Sequence, residues 1–413
     1  MDDIRITPVD VKETLGLTAK VIDECGARLT GSESCKKAAN IVMDEMKKHC
    51  DSVKIEEFDV HPESFLGFFK AIVIIYILSS FLLYFGYIYV GAAGYLLGLF
   101  MMLSQSIFYW ELFDPFYRKV KGYNVFGTIE PEGEVKQQII LSGHHDTAYE
   151  FRFLAHHQKL YSVRLILAMV TAAAVLVFSL IRVYYKFTTG ADPAFGAYMR
   201  YGVFAGLIFI APLYFFISEK GTPGAGDNMI ATAIVIKLAE LFKKAQGREG
   251  HLLRNTRLVF LSVDAEEAGL RGARAFAKRH KKELLNIPAY NFNIDSIYNL
   301  NELQFITRDI NSTVNLSKKM AVECKEIADK LGYPARLFAV TPGGGGTDAA
   351  EFARIGVEAT SIIGMPTNMI RDGMVYHTLN DTVEHIEPAA VEATLKIALA
   401  YILKKEQNGF AVQ

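Results

Sequence analysis

The sequence predicts an α/β domain with two apolar helical hairpins inserted into it. Strand-like and helix-like stretches alternate along most of the 413 residues, as they do in α/β domains. Two apolar regions interrupt this alternation, and polar residues recur where predicted strands end. We therefore expect one α/β domain built from residues 1–64, 111–162 and 220–413, with insertions at residues 65–110 and 163–219.

The period of the apolar residues defines the elements of the α/β domain. Spacings of three and four predict helices, whereas strict alternation or a short apolar run predicts strands. The predicted strands are "SVKIEEFDV", "YNVFGTIEP", "QQIILSG", "TRLVFLSVD", "YNFNID", "ELQFIT" and "EATSIIGM". The predicted helices are "DVKETLGLTAKVIDECGARLTG", "SESCKKAANIVMDEMKKHC", "DNMIATAIVIKLAELFKKA", "GLRGARAFAKRHKKEL", "VNLSKKMAVECKEIADKLG" and "PAAVEATLKIALAYILKKEQ".

The first insertion is long enough for two membrane crossings. Between Lys70 and Glu111 lie 40 residues without a formal charge, about twice the roughly 20 that one bilayer-spanning helix needs. We expect the turn of this hairpin in the region of Gly91 to Gly94. Residues 165–181 and 201–218 predict a second pair of crossings, joined by the polar link "KFTTGADPAFG". Apolar runs of this kind also form buried helices of soluble proteins, and that alternative stays open at this point.

Charge and cysteine content limit the partners and the compartment. A net charge of −1 gives no electrostatic footprint for nucleic acid, so we expect no nucleic-acid partner. The N-terminal "MDDIRITPVD" lacks the apolar core of a secretory signal. Cysteines without metal-ligand spacing are expected to be buried free thiols in a reducing compartment. They are Cys25, Cys35, Cys50 and Cys324.

The distribution of positive residues predicts the orientation in a membrane. Eight lysines and arginines flank the crossings on the side of the α/β domain, against three on the other side, Arg182, Lys186 and Arg200. Positive residues are enriched in cytoplasmic loops. The sequence therefore predicts an integral membrane protein with four transmembrane helices and a cytoplasmic α/β domain.

Polar residues at the predicted strand ends form a candidate metal-ligand set. Open α/β sheets place ligand sites at these ends. Two histidines with several carboxylates suit zinc or another first-row divalent metal, and the excess of carboxylates suits two metals that share one of them. The residues are His144, Asp146, Asp227, Glu266, Glu267, Asp295 and His377. Each of them alone would be an ordinary cap, turn or surface residue, and only their joint presence indicates a site.

Local geometry suggests different roles for some of these residues. His144 and Asp146 lie on the same face of an extended segment, so Asp146 can fix the ring of His144. Glu266 and Glu267 are adjacent and cannot share one geometry, which permits one metal ligand and one free carboxylate that activates water.

The motifs "HHDT", "GAGDN", "EEAGLRGA", "NID" and "YHTLNDTVEHI", preceded by "GARLTGSESCKKAANIVMDEMKK", resemble the di-zinc metallopeptidases of peptidase family 28. That family includes leucyl-type aminopeptidases, glutamate carboxypeptidases and glutaminyl cyclases. The resemblance covers nearly all of the chain outside the hairpins. It implies a mixed β-sheet sandwiched by α-helices, as in zinc exopeptidases, and two Zn²⁺ per chain, although cobalt or manganese would tolerate the same ligands.

The resemblance also implies roles for individual residues. Asp227 bridges the two metals, Glu266 is the general base, and Asp146 orients His144. The implied metal ligands are His144, Asp227, Glu267, Asp295 and His377. One departure concerns the loop "TPGGGGTDAAEFARIG", where Ala349 replaces a histidine of many family members and the pattern is similar to that of tetrahedral aminopeptidases. Further candidates for the site or for substrate contact are Asp348, Tyr376 and Arg371.

The predicted function is a membrane-anchored di-zinc exopeptidase, foremost an aminopeptidase. It would hydrolyse N-terminal peptide bonds with metal-activated water and Glu266 as base, on hydrophobic or membrane-derived peptides. The alternatives are a carboxypeptidase or amidase acting on lipidated or N-acylated amino acids, acyl transfer of the glutaminyl-cyclase type, and a catalytically silent scaffold. Partners are the peptide and the lipid bilayer. Hydrophobic hairpins often pack against copies of themselves, so the sequence also allows a homo-oligomer.

Overall fold

The structure, a computed structural model, describes residues 4–249, 252–367 and 373–408. The strands of this part of the chain are β1 Ser52–Val60, β2 Val120–Ile129, β3 Gln137–His144, β4 Tyr149–Phe151, β5 Ile217–Gly221, β6 Thr256–Val263, β7 Ala289–Ile297, β8 Gln304–Asp309, β9 Val314–Asn315, β10 Arg336–Ala339 and β11 Glu358–Gly364. The helices are α1 Pro8–Cys25, α2 Glu33–Lys47, α3 Pro62–Tyr84, α4 Ile88–Met102, α5 Arg152–Ala155, α6 Tyr161–Thr189, α7 Gly196–Ala205, α8 Leu207–Ile210, α9 Ile230–Glu249, α10 Arg271–Asn286, α11 Lys318–Lys330, α12 Ala349–Ile355 and α13 Pro388–Asn408.

Nine strands form one mixed sheet in the order β1-β2-β6-β3-β7-β11-β8-β10, with β9 paired to β8. The central strands β6, β3, β7 and β11 are parallel neighbours. Antiparallel pairs extend the sheet on either side, through β2 and β1 at one edge and β8 at the other. Because the central strands are parallel, their carboxyl ends lie along a common edge, where β3 ends at His144.

Helices cover both faces of this sheet. Side chains of a strand alternate between faces, and Ile139 and Leu141 of β3 pack in one apolar core while Ile140 packs in the other. Helices α1, α2, α9, α11 and α13 contribute to the first core. Helices α10 and α12 cover the opposite face, with Phe276 and Phe352. The expected α/β fold, a mixed sheet between two helical layers, is confirmed.

The N-terminal helices begin where the sequence supplies caps. Thr7 and Asp10 form a reciprocal capping box at the start of α1, and Pro8 occupies its first turn. The Ser32 hydroxyl accepts a hydrogen bond from the Cys35 backbone amide at the start of α2. The segment between these caps places residues 26–31 beside the carboxyl edge of the sheet, because the Thr147 amide donates to the Arg28 carbonyl.

The turn of the first hairpin lies at Gly86, where φ is +89°. The expected turn at Gly91 to Gly94 was wrong, because α3 ends at Tyr84 and α4 begins at Ile88. The glycines of α4 serve instead as contact points with α3. A Cβ atom at Gly91 would lie 2.9 Å from Leu83 Cγ, so only a glycine allows the two helices to approach this closely.

The second hairpin is held by a buried ion pair and a connection to the first. Helix α6 continues past the end of its apolar run because Arg182, fully buried, donates from Nε to Asp192 Oδ1 at 2.9 Å. The Tyr76 hydroxyl of α3 donates to the Val203 carbonyl of α7 at 2.8 Å, which joins the two hairpins. Among the residues that the structure describes, four helical segments are long and apolar enough to cross a membrane, namely Pro62–Tyr84, Ile88–Ile107, Gln158–Thr189 and Gly196–Phe215.

Candidate metal centre

The histidines and carboxylates singled out in the sequence meet at the carboxyl edge of the parallel strands. His144 ends β3, Glu266 and Glu267 follow β6, and Asp295 lies near the end of β7. Asp227 precedes α9. His377 lies in an irregular segment before α13, with a left-handed φ of +53°. The two residues that come from outside the strands thus complete a cluster that the parallel strands begin.

Asp227 lies at the centre of this cluster. Its Oδ1 atom is 3.3 Å from His144 Nε2, and its Oδ2 atom is 3.0 Å from His377 Nε2. The two oxygens of one carboxylate therefore face two different histidines, so Asp227 divides the cluster into two halves.

Each half contains further carboxylates. In the His144 half, ligand atoms of His144, Glu266 and Asp295 all lie within 4.8 Å of one another. In the His377 half, Glu267 Oε1 is 3.2 Å from His377 Nε2. Glu266 Oε2 stays 3.8 Å from His144 Nε2. One glutamate therefore contacts a histidine directly, and its neighbour stands farther off.

Asp146 positions three parts of the site. The His144 Nδ1 atom lies 3.2 Å from the Asp146 carbonyl oxygen and 3.3 Å from its Oδ1. The same carboxylate accepts hydrogen bonds from the backbone amides of Glu266 and Glu267, at 3.2 and 3.1 Å. Because Asp146 is fully buried, these contacts are not exchanged with solvent. It orients the His144 ring and also fixes the loop that carries both glutamates.

The sequence prediction missed residues that support the site. The Thr30 hydroxyl lies 3.2 Å from Asp146 Oδ2 and 3.0 Å from Asp264 Oδ1. Asp381 accepts hydrogen bonds from the backbone amides of Gly226 and Asp227, at 2.8 and 3.2 Å, and so fixes the backbone of the central carboxylate. Thr30 and Asp381 lie inside the motifs "GARLTG" and "YHTLNDT", and their polar character within these motifs was the available signal.

Aromatic rings surround His377. The Tyr376 ring stacks on the His377 ring with centroids 3.8 Å apart, and the Phe151 ring meets it edge to face at 4.2 Å. The Phe151 backbone amide also donates to the His377 carbonyl at 2.9 Å. Phe151 was not predicted as a site residue. Phe151 ends strand β4, which precedes the second hairpin. Strand β5 follows that hairpin and pairs with β4.

The remaining candidates differ in position. Asp348 is fully buried, and neither of its carboxylate oxygens has a hydrogen-bond partner among the described residues. Burial raises the pKa of Asp348 well above its usual value; a positive charge on His144 opposes the shift and the carboxylate of Asp295 adds to it. Arg371 lies outside the described residues.

The electrostatics of the cluster favour positive charge. Burial alone would lower the pKa of His377, but the carboxylates of Glu267 and Asp227 outweigh it and raise the pKa to about 10. Burial raises the pKa of Asp295 to about 7, with a contribution from Asp227. Burial also raises the pKa of Glu266 well above its usual value. Crowded carboxylates in a buried volume therefore stabilise any cation placed among them.

The polar atoms that face the centre of the cluster fit a metal. Three of them are buried without a hydrogen-bond partner in the described part of the chain, His144 Nε2, His377 Nε2 and Glu267 Oε1. Such atoms are costly unless something binds them. Imidazole nitrogens and carboxylate oxygens are the atoms that zinc binds in catalytic sites. The residues present therefore fit zinc.

A cleft of about 480 Å³ opens beside the cluster. Glu267 and Thr147 line its inner end, and α3 and β5 form walls farther out. The charged side chains that line it are Glu63, Lys70, Glu219 and Glu267. Its volume lies in the range of small-molecule and peptide sites.

Comparison with known proteins indicates a family. Residues 213–402 match the model of peptidase family M28, a range that contains Asp227, Glu266, Glu267, Asp295 and His377. Aminopeptidase YwaD of Bacillus subtilis (strain 168) is 24% identical over 194 residues, which are 45% of this chain and 39% of that protein. The match thus spans well under half of the curated relative.

Solved structures share the fold at low sequence identity. A zinc-dependent exopeptidase from Parabacteroides distasonis ATCC 8503 aligns with a TM-score of 0.55 and 14% identity, covering 95% of this chain and 97% of that one. A glutaminyl cyclase from Bacteroides thetaiotaomicron aligns with a TM-score of 0.55 and 12% identity, covering 96% and 98%. An aminopeptidase from Aneurinibacillus sp. strain AM-1 also aligns at 0.55, with 13% identity and coverage of 96% and 93%.

Proposed function

We propose that the chain belongs to peptidase family M28 and that it is a membrane-anchored zinc exopeptidase, foremost an aminopeptidase. The observation that carries the proposal is the position of Asp227, with one carboxylate oxygen facing His144 and the other facing His377. A carboxylate in this position suits two metal ions that share it.

We assign the ligands of two zinc ions per chain to the two halves of the cluster. His144 and Asp295 would hold one ion, and Glu267 and His377 would hold the other. Asp227 would bridge them. Asp146 would keep the His144 ring oriented, as carboxylates behind metal-bound histidines do. Cobalt or manganese would tolerate the same donor atoms.

Glu266 is the carboxylate left for proton transfer. Zinc, when bound, lowers the pKa of water and polarises a carbonyl group. Glu266 is 9% exposed and belongs to the same loop as Glu267, which lines the cleft. It would take the proton from the water that attacks the peptide carbonyl carbon and pass it to the leaving amine as the carbon–nitrogen bond breaks.

The charges along the cleft favour a free amino end of the substrate over a free carboxylate. Among the described residues, three of the four charged side chains that line it are acidic, Glu63, Glu219 and Glu267, and the fourth is Lys70. A substrate ammonium group is attracted to such a cleft, whereas a terminal carboxylate is repelled. This balance supports the aminopeptidase over the carboxypeptidase.

The hairpins would anchor this site at a membrane surface. Four helical segments have the length and apolarity of membrane spans, and the orientation we propose, with the catalytic domain in the cytoplasm, follows the excess of positive residues on its side. Both ends of each hairpin return to the catalytic domain, so the site stays close to the bilayer.

Replacing Glu266 by glutamine tests the proposal. We expect Glu266→Gln to retain two zinc ions per chain by elemental analysis while peptide hydrolysis falls about 10²- to 10⁴-fold, because the proton acceptor is lost and the ligands are not. Glu326→Gln, at an exposed position of α11, is the matched control and should keep both zinc and activity. Full activity of Glu266→Gln would disprove the role of this residue.

A mixed peptide pool identifies the bond that is cleaved. The zinc-loaded protein is incubated with peptides that have free, blocked or acylated ends, and the products are identified by mass spectrometry. Stepwise loss of residues from free amino ends alone is expected. Cleavage confined to acylated or C-terminal residues would indicate an amidase or carboxypeptidase, and no cleavage at all would indicate a silent scaffold.

A further inference from the structure

The cleft beside Glu267 extends from the metal centre to the first hairpin. Its inner end is formed by Thr30, Thr147 and Glu267, and its outer wall by Leu66, Ala71 and Ile74 of α3. The wall is fixed to the catalytic loop, because the ring of Phe65 packs on Gly269 so closely that a Cβ atom there would lie 2.7 Å from it. Helix α3 is therefore a part of the cleft and not only an anchor.

The outer end of the cleft lies where α3 becomes fully apolar. Lys70 is the last charged residue of this helix, and its ammonium nitrogen lies 5.8 Å from the centroid of the Tyr214 ring. Lysine and tyrosine together are typical of a membrane interface. The cleft continues one helical turn beyond, to Ile74, which is 48% exposed. At the rise of an α-helix this residue is about 6 Å deeper than Lys70, where the hydrocarbon region would begin.

The two ends of the cleft differ in chemistry. The inner end is acidic, because the exposed side chains of Glu63 and Glu219 line the cleft together with Glu267. The outer end presents Leu66, Ala71 and Ile74. A ligand that matches both ends carries a positive group at one end and an apolar chain at the other.

We propose that the cleft binds a peptide whose free amino end reaches Glu267 while its apolar segment runs along α3 into the bilayer. The substrate then enters sideways from the membrane. This inference rests on the proposed function and specifies its substrate. A phospholipid is the other apolar occupant; Lys70 would attract its phosphate, but Glu63, Glu219 and Glu267 outnumber this lysine and favour the ammonium group of a peptide.

A pair of alanine variants tests this proposal. Ala71→Trp places a large ring in the apolar end of the cleft. Ala93→Trp makes the same change at an exposed position of α4 that does not line the cleft, and it is the matched control. Full-length protein in phosphatidylcholine nanodiscs is assayed with two substrates. One is a water-soluble tripeptide amide, and the other has the same first three residues followed by an apolar segment of about 20 residues.

The readout is the ratio of kcat/KM for the long substrate to kcat/KM for the short one. We expect Ala71→Trp to lower this ratio about tenfold or more, because the indole ring blocks the apolar end of the cleft to the long substrate. The short peptide occupies only the inner end of the cleft and is affected less. Ala93→Trp should leave the ratio unchanged. An unchanged ratio in Ala71→Trp, with both substrates still hydrolysed, would overturn the cleft proposal and leave the exopeptidase intact.

A binding measurement separates this proposal from the proposed function. A fluorescent form of the long peptide is titrated into Glu266→Gln protein with and without Ala71→Trp, and the dissociation constant should rise about tenfold with the second change. If the dissociation constant rises in this way while the wild-type protein hydrolyses no peptide, the cleft proposal stands and the peptidase falls. If Ala71→Trp releases bound phospholipid, seen by native mass spectrometry, without changing peptide affinity, a lipid occupies the cleft and the proposal is wrong.

Discussion

The two halves of the metal centre are held by different kinds of contact. His144 ends a buried strand, and its Nδ1 atom faces oxygens of Asp146. His377 lies in an irregular segment, and its Nδ1 atom has no hydrogen-bond partner among the described residues. Its ring is instead placed between Tyr376 and Phe151. At the nitrogen that faces away from the cluster, polar contacts support His144, whereas His377 has only the packing of its ring among the described residues.

The two halves are also supported by different parts of the chain. The His144 half depends on strands and on Asp146, all within the catalytic domain. The His377 half depends on an aromatic chain that reaches the hairpins. Phe151 packs on Phe216 with centroids 4.6 Å apart, and Phe216 packs on Phe69 of α3 at 4.3 Å. Changes in the hairpins should therefore affect one metal position more than the other.

Removing the shared carboxylate should have the largest effect, because it belongs to both halves. In Asp227→Ala we expect almost no bound zinc and a loss of hydrolysis by about three orders of magnitude or more. Elemental analysis and peptide assays measure the two quantities. Asp44→Ala, at a surface position, is the control. One zinc ion retained per Asp227→Ala chain would show that the halves are independent.

Weakening the polar support should affect the His144 half. In Asp146→Asn we expect the affinity of one zinc position to fall about 10- to 100-fold, because the charge behind the His144 ring is lost. The second position should change less. Competition with a chelator resolves two dissociation constants, and equal weakening of both would contradict the division.

Weakening the ring packing should have the smallest effect, and on the other half. In Phe151→Leu we expect the affinity of the His377 position to fall roughly two- to tenfold, since one aromatic pair contributes about 0.5–1.5 kcal/mol. Phe178→Leu, half exposed on α6, removes a ring at a distance from the site and should change neither constant. A larger effect of Phe151→Leu than of Asp146→Asn would reverse the comparison.

The sequence was informative about site residues that lie at the ends of predicted strands. His144, Glu267 and Asp295 follow or end predicted strands, and parallel strands bring such residues to one edge without any knowledge of side-chain packing. Asp227 and His377 were also expected at strand ends, and this was wrong, because Asp227 lies directly before α9 and His377 lies in an irregular segment before α13. The structure brings the five together, and their roles as ligands stay a proposal.

Contacts between distant segments left no signal in the sequence. Phe151 and His377 are far apart in the chain, and no local period links them. Arg182 marked the end of an apolar run, yet Asp192 folds back to neutralise it and the helix continues. Gly91 and Gly94 resemble a turn by composition, and only the approach of α3 shows that they are packing positions.

The pairing of β3 with β6 has a consequence for how the protein is made. His144 pairs with Val263, and the whole second hairpin lies between these two strands in the chain. On a ribosome, β3 emerges first and must wait for its partner until both hydrophobic helices have been synthesised. Contacts between such distant segments form late in folding. In the membrane-anchored protein that we propose, the hairpin enters the bilayer before the catalytic edge exists, so membrane insertion precedes assembly of the site.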